Sequence, residues 1–373
     1  MFKTALKFIL FDRPKSIGAL AGTVISIFLI GQQSGIFLFL TNAMGSLVRN
    51  NPQYIWVVDS KTGNVNALSP LDVRIGRELE SVRGVKKVHP LVVANGSAKF
   101  ANGKSSGVAL IGTQAPAFAG GPWNVSLGHK ADLLQDGAIF TDYFDKKALG
   151  DVKPGDYFEV NGKKVFVAGQ TKGVRSFGAG VYTFTTIERA RYLGNFSPYK
   201  ASAFLVEWEP QTPPDQVIAR INAGIDGVRA WRSDDFAAET ILTVLKSSGI
   251  AISFGTLILF ALVSGFVIIG LTLYSAAIDR IRDYGTLKAI GATNGYIRRL
   301  ILTQALIFAV VGFAVGYAFI EGFRRGIANS GTFFDYPWWL RITFLAVTVL
   351  IAVSGSLFAI RRITSLEPAQ VFR

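Results

Sequence analysis

The chain has no cysteine, only two histidines, and little charge: 17% of its 373 residues are Asp, Glu, Lys or Arg. Without a thiol there is no Cys nucleophile, zinc ribbon, iron–sulfur cluster or disulfide-stapled secreted module, and the redox compartment stays open. His89 and His129 lie far apart with no third histidine, so a histidine-based zinc site lacks its ligands. A soluble domain carries about a quarter charged residues, so this shortage argues against a simple soluble enzyme. An apolar content of 50% also excludes a disordered chain. Asn102-Gly103-Lys104-Ser105 resembles the end of a phosphate loop, but Ala98 stands where its first glycine is needed. It therefore reads as an exposed turn.

What is present is apolar sequence in long runs. The hydrocarbon core of a bilayer needs roughly 20 apolar helical residues. Residues 17–41, 249–275, 300–320 and 342–360 each supply such a run. The first is too long for a signal-peptide core, and no A-x-A site follows it closely. Residues 1–16 form a cytoplasmic interfacial segment in this reading. Phe2, Leu6, Ile9 and Leu10 share one helical face, Lys3 and Lys7 share another, and Pro14 breaks the pattern.

The basic residues set the orientation. Lys3, Lys7, Arg13 and Lys15 precede the first run. Arg280, Arg282, Lys288, Arg298 and Arg299 lie in residues 276–299, and Arg361, Arg362 and Arg373 in residues 361–373. Four spans place these three segments on one side, opposite Arg324, Arg325 and Arg341 of the short loop 321–341. The bias predicts cytoplasmic termini, with residues 42–248 outside.

Residues 42–248 read as an α+β domain with stalk helices. Short alternating runs recur at Tyr54–Val58, Val108–Ile111 and Ala203–Glu207, and Asn161-Gly162 joins two strands as a type I′ hairpin signal. Helix starts are expected at Ser69-Pro70, Thr186 and Pro213-Pro214. A helix from Ser233 is expected to run into the second span. The basic residues here lie among acidic ones, with no aromatic-interleaved stripe, which argues against nucleic acid. Ionisable groups are almost absent from the spans, so ion-coupled transport is disfavoured. Gly312 and Gly316, like Gly18 and Gly22, form G-x-x-x-G pairs for close helix packing, within the chain or between copies.

The loop of residues 276–299 is the most informative stretch. Between Asp283 and Ala289 it can form a short helix stopped by Gly291, with Tyr284, Leu287 and Ile290 at spacings of three. Such a helix on the membrane surface suits a groove on a soluble partner.

Arg280 to Thr293 resembles the R-x-x-E-[IFY]-G-x-[LM]-[RK]-A-[IL]-G-A-[ST] signature of FtsX/MacB-type permeases of ABC systems, with Asp283 in place of Glu. The ending, Arg361-Arg362 followed by Leu366-Glu367-Pro368-Ala369 and Val371-Phe372-Arg373, is similar to that family's, and so is the layout of one span, a large outer domain and three spans. Within the family the DevC branch is nearest. Gln304 stands where many members have Glu.

The resemblance implies a MacB-like (type VII) fold: four transmembrane helices, with a large α+β periplasmic domain between the first and second. It implies a homodimer in the bacterial inner membrane, without catalytic or metal sites and with no cofactor of its own. ATP and Mg would be bound by a separate ABC ATPase. Arg282, Asp283, Tyr284, Gly285, Leu287, Lys288, Ala289 and Gly291 would couple to that ATPase, with Tyr284 and Leu287 as buried anchors and Lys288 as a polar contact. Motion would pass to the outer domain by mechanotransmission, for export with a periplasmic adaptor and an outer-membrane channel. An FtsX-like regulator of a periplasmic cell-wall hydrolase is the alternative.

Overall fold

The computed structural model describes residues 2–11, 13–178, 180–334 and 336–364. They belong to two compact units: residues 1–38, 250–328 and 333–373, and residues 39–249 with 329–332. The chain opens with α1 (Phe2–Phe11) and α2 (Arg13–Met44). Pro14 sits in the first turn of α2, where its missing N–H costs nothing, so the break expected there comes earlier, after Phe11.

The second unit begins with α3 (Ser46–Arg49), β1 (Ile55–Asp59), β2 (Leu71–Asp72), α4 (Ile75–Glu80) and β3 (Val85–Lys99). There follow β4 (Ser105–Thr113), β5 (Val125–Leu127), β6 (Ala138–Asp142), β7 (Tyr157–Val160), β8 (Lys163–Thr171) and β9 (Val181–Thr186). Then come α5 (Ile187–Gly194), β10 (Lys200–Ala201), β11 (Ala203–Trp208), α6 (Pro214–Gly224), β12 (Val228–Trp231) and α7 (Ser233–Ser248). Among the described residues one sheet runs β12-β1-β11-β3-β4-β9-β6-β8-β5, with β7 paired to β3 and β8.

β3 joins two lobes. Its first half pairs with β11 and its second half with β4. β1, α4, β3, β11, α6 and β12 follow a β-α-β-β-α-β order, antiparallel at each pairing. The second lobe is inserted between β3 and β11. Ile55 and Val57 of β1 face Leu79, Phe204, Val217 and Ile221, while Trp56 and Val58 face Leu205 and Phe236. The period of two thus buries both faces of β1. Leu110, Ile139, Val165, Ile187 and Leu193 build the core of the inserted lobe. The outer edge of β12 is closed by Asn222, whose amide accepts from Ala230 N–H at 2.7 Å and donates to its carbonyl at 3.2 Å.

Two local expectations change. After Ser69-Pro70 the chain first enters β2, paired with β10, and an Asx turn at Asp72 precedes α4. The helix from Ser233 does not run unbroken into the second span, because Gly249 ends α7 in the left-handed region at φ +66°.

The first unit continues with α8 (Ile250–Asp279), α9 (Ile281–Ala289), α10 (Asn294–Ala328) and α11 (Trp338–Thr364). Among the described residues, four helices are long and apolar enough to cross a membrane: most of α2, then α8, α10 and α11. They outrun the apolar stretches of the sequence because their polar flanks are helical too. Small residues let them approach closely. A Cβ on Gly312 would lie 2.4 Å from Thr23 Cγ2, one on Gly316 3.0 Å from Ile27 Cβ, and one on Gly22 2.1 Å from Ile268 Cγ2. The Gly312/Gly316 pair therefore serves packing within the chain. Gly18 has open space around it.

Candidate functional site

α9 is the short helix joining the second and third apolar spans. Its end is a Schellman motif: Ala292 N–H reaches Leu287 O at 2.9 Å and Gly291 N–H reaches Lys288 O at 3.0 Å. Gly291 makes this possible by taking φ +100°. Thr293 then starts α10, its hydroxyl accepting from Tyr296 N–H at 3.3 Å.

The helix has an inner and an outer side. Tyr284 is 2% exposed and Gly285 is buried; Leu287 and Lys288 are half-buried. Arg282, Asp283, Thr286, Ala289, Ile290 and Gly291 are exposed, Ile290 at 78%. The Tyr284 ring lies 5.6 Å from the ring of Phe8 in α1. The Arg280 guanidinium lies 4.7 Å from the Phe8 ring centre and 4.9 Å from that of Phe11. Burial raises the Tyr284 hydroxyl above its ordinary pKa, against the pull of the Gln304 amide beside it. Arg280 Nη2 and Gln304 Nε2 have no hydrogen-bond partner among the described residues, and both residues line a cavity of about 20 Å³ shared with Ser16 and Tyr284. That is room for about one water. Lys288 Nζ donates to Thr364 O at 3.0 Å.

This geometry distributes the residues expected to face a partner over both sides of α9. Tyr284 and Gly285 are turned into the chain itself, and the Lys288 ammonium is engaged with the end of α11. Helical spacing groups Tyr284, Leu287 and Ile290 loosely, but the fold buries the first, half-buries the second and exposes the third. The exposed side comprises Arg282, Asp283, Thr286, Ala289, Ile290 and Gly291. Of these, Thr286 was missed in the sequence because it carries no apolar or charged signal. Residues 365–373, with the tail motif, lie outside the described residues.

Among the described residues no group of His, Asp and Glu could hold a metal ion. His89 is buried and pairs with Glu207 at 2.9 Å, while His129 is exposed beside a short 3-10 turn. Asn102-Gly103-Lys104 is an exposed hairpin turn between β3 and β4. Gly103-Lys104-Ser105-Ser106-Gly107 has the G-x-S-x-G spacing of a nucleophile elbow, but it enters a strand rather than a helix, so it lacks the required turn.

Two family profiles cover most of the sequence. The MacB-like periplasmic core domain matches residues 16–223, and the FtsX-like permease C-terminal domain matches residues 238–368. The chain belongs to the FtsX/MacB-type ABC transporter permeases. It is 24% identical over 225 residues to the uncharacterized ABC transporter permease Rv0072 of Mycobacterium tuberculosis, covering 58% of each chain. The same figures hold for MT0078 from a second strain of that organism. This permease chain thus spans 58% of the length of the curated relatives it matches.

Among solved structures, the periplasmic region of MacB from Actinobacillus actinomycetemcomitans is 13% identical with a TM-score of 0.36, covering 53% of this chain and 94% of that one. The extracellular domain of the noncanonic ABC-type transporter YknZ from Gram-positive bacteria is 15% identical with a TM-score of 0.34, covering 48% and 98%. The FtsX/MacB-type permease is a multi-pass membrane protein with a mixed α/β domain between its first and second spans.

Proposed function

We propose that the chain is the permease subunit of an ABC exporter, working as a homodimer by mechanotransmission with a separate ATPase. ATP and Mg belong to that partner, and the permease contributes no catalytic group. The observation that carries the reading is the two-sidedness of α9: its inner side is fixed by α1 and α11, and its outer side is exposed. A helix held from within can pass a push received from without, whereas a freely solvated turn would absorb it.

The positive-inside bias of the short loops supports an inner-membrane protein with both termini in the cytoplasm and the middle domain in the periplasm. α9 is then within reach of a cytoplasmic ATPase. A DevC-like arrangement, with a periplasmic adaptor and an outer-membrane channel, fits the size of the middle domain.

Ile290→Asp is the decisive variant, because Ile290 is 78% exposed and its replacement leaves the chain's own packing intact. In a reconstituted complex it is expected to abolish permease-stimulated ATP hydrolysis while membrane insertion stays normal. Full stimulation with Ile290→Asp would exclude docking through this surface. Leu287→Asp is expected to abolish stimulation as well, but as a half-buried site it also tests the seating of α9.

A further inference from the structure

α1 has three sectors around its axis. Ala5 is buried and Phe8 and Ile9 are half-buried against the protein. Phe2, Leu6 and Leu10 follow one another at spacings of four and are 61%, 37% and 59% exposed. Lys3 and Lys7 flank that stripe and are exposed as well. The pattern in the sequence groups Ile9 with the stripe, but in the fold Ile9 lines the small cavity beside Ser16 and Arg280.

The exposed stripe needs a cover, since each large apolar side chain gains about 1.5–3 kcal/mol on full burial. Its occupant follows from the chain. Only residue 12 separates α1 from α2, the first membrane-crossing helix, so α1 is held where that helix meets the bilayer boundary. The apolar stripe matches the acyl side of that boundary, and the neighbouring lysines match anionic headgroups. Arg13, also exposed, adds to the basic rim.

The opposite side of α1 is the seat of α9. Phe8 lies against Tyr284, and Arg280 rests over the rings of Phe8 and Phe11. We propose that α1 is a clamp between an anionic lipid surface and α9: Phe2, Leu6, Leu10, Lys3 and Lys7 dock on the headgroup region, and Phe8 holds Tyr284 and Arg280. The charge of the lipid surface thereby sets how firmly α9 is seated. This goes beyond the permease reading and needs no ATPase to be tested.

The absence of cysteine allows single-cysteine reporters on the full chain. Leu6→Cys carrying a fluorophore is reconstituted in vesicles of phosphatidylcholine, alone or mixed with phosphatidylglycerol, each with brominated acyl chains as quencher. Quenching is expected to be several-fold stronger with phosphatidylglycerol, and Lys3→Gln with Lys7→Gln is expected to erase the difference. A spin label at Ile290→Cys is expected to become several-fold more mobile in phosphatidylcholine alone, in the double lysine variant, and in Phe8→Ala. If Phe8→Ala does not fold, the lysine variant still carries the test, since both lysines are exposed.

Equal quenching in the two vesicle types overturns the lipid-charge dependence. No quenching in either shows that the stripe is kept for a protein partner, such as the ATPase, and overturns the proposal. An Ile290 label indifferent to lipid charge overturns the link to α9. None of these outcomes bears on whether Ile290→Asp abolishes ATPase stimulation, so the two readings fail separately.

Discussion

Lys288 and Thr364 join the short helix α9 to the end of α11: the lysine Nζ donates to the threonine carbonyl across 3.0 Å. Thr364 lies in the last turn of α11, where carbonyls have no partner along the helix. Burial pulls the Lys288 ammonium below the usual lysine pKa, so the pairing is formed at some desolvation cost. α9 is therefore tied along its inner side, to α1 at Tyr284 and to α11 at Lys288.

Lys288→Met is expected to cost about 1 kcal/mol, at the low end for a charge-assisted hydrogen bond because the site is half open to solvent. Hydrogen exchange is the measurement. The amides of the last turn of α11 should exchange faster, while those of α8 stay unchanged. Equal protection at α11 in both proteins would remove the tie.

Gly312 carries a sharper prediction. A Cβ there meets Thr23 Cγ2 at 2.4 Å, so Gly312→Val must push α10 away from α2. Overpacking of this kind costs about 1–3 kcal/mol. Gly18→Ala, with nothing nearby, is expected to be neutral or slightly stabilising, since alanine favours helix by about 1 kcal/mol. Thermal melts of both variants in detergent should separate them clearly. Equal melting temperatures would show that the two helices have slack.

The spans were legible because each is a long run with a single requirement, apolarity over the bilayer thickness. β1 was legible as a strand but not in its burial: it was read as an alternating run, whereas Ile55 to Val58 is apolar throughout and buried on both faces. Tyr284 was legible as a side chain that needs burial but not in what buries it within this chain. Periodicity says which side chains share a face and is silent on whether the chain or a partner covers it. The contact of Phe8 in α1 with Tyr284 decides that. Gly249 is a similar case: its neighbours on both sides favour helix, and the break rests on one residue adopting a positive φ.

The hairpin at Asn161-Gly162 tests the local code directly. Both residues have positive φ, +50° and +74°, as a type I′ turn requires. Asn161 also accepts from Ser97 N–H and donates to Leu193 O, each at 2.9 Å, so it fastens the turn to β3 and α5. Gly162→Val is expected to cost about 1–2 kcal/mol through backbone strain alone. Asn161→Gly should relieve some strain at its own positive φ but lose both bonds, at about 0.5–1.5 kcal/mol each. Urea titration with a middle-domain tryptophan signal can compare them. A neutral Gly162→Val would mean that the turn is not type I′ in solution.

Asp145 predicts the sign of a pH dependence. Its carboxylate pairs with Arg175, whose guanidinium also donates to the carbonyls of Gly331 and Ser330 at 3.0 Å. Burial nevertheless pushes the Asp145 carboxyl up to about 6 from 3.8; Arg175 opposes the shift and Asp142 adds to it. Asp142, 1% exposed, is itself held by Phe144 N–H, the Thr171 hydroxyl and Val174 N–H. Because its native pKa lies above the unfolded one, Asp145 holds a proton more tightly when folded. Its contribution is then fully present below about pH 4, falls as pH rises to about 6, and is flat above that. The whole effect is at most about 3 kcal/mol. Asp145→Asn, which cannot ionise, should remove that slope, so the difference in melting temperature between wild type and variant should change across this window and level off above it. If wild type instead gains stability relative to the variant with rising pH, the Arg175 pairing outweighs burial and the sign is reversed.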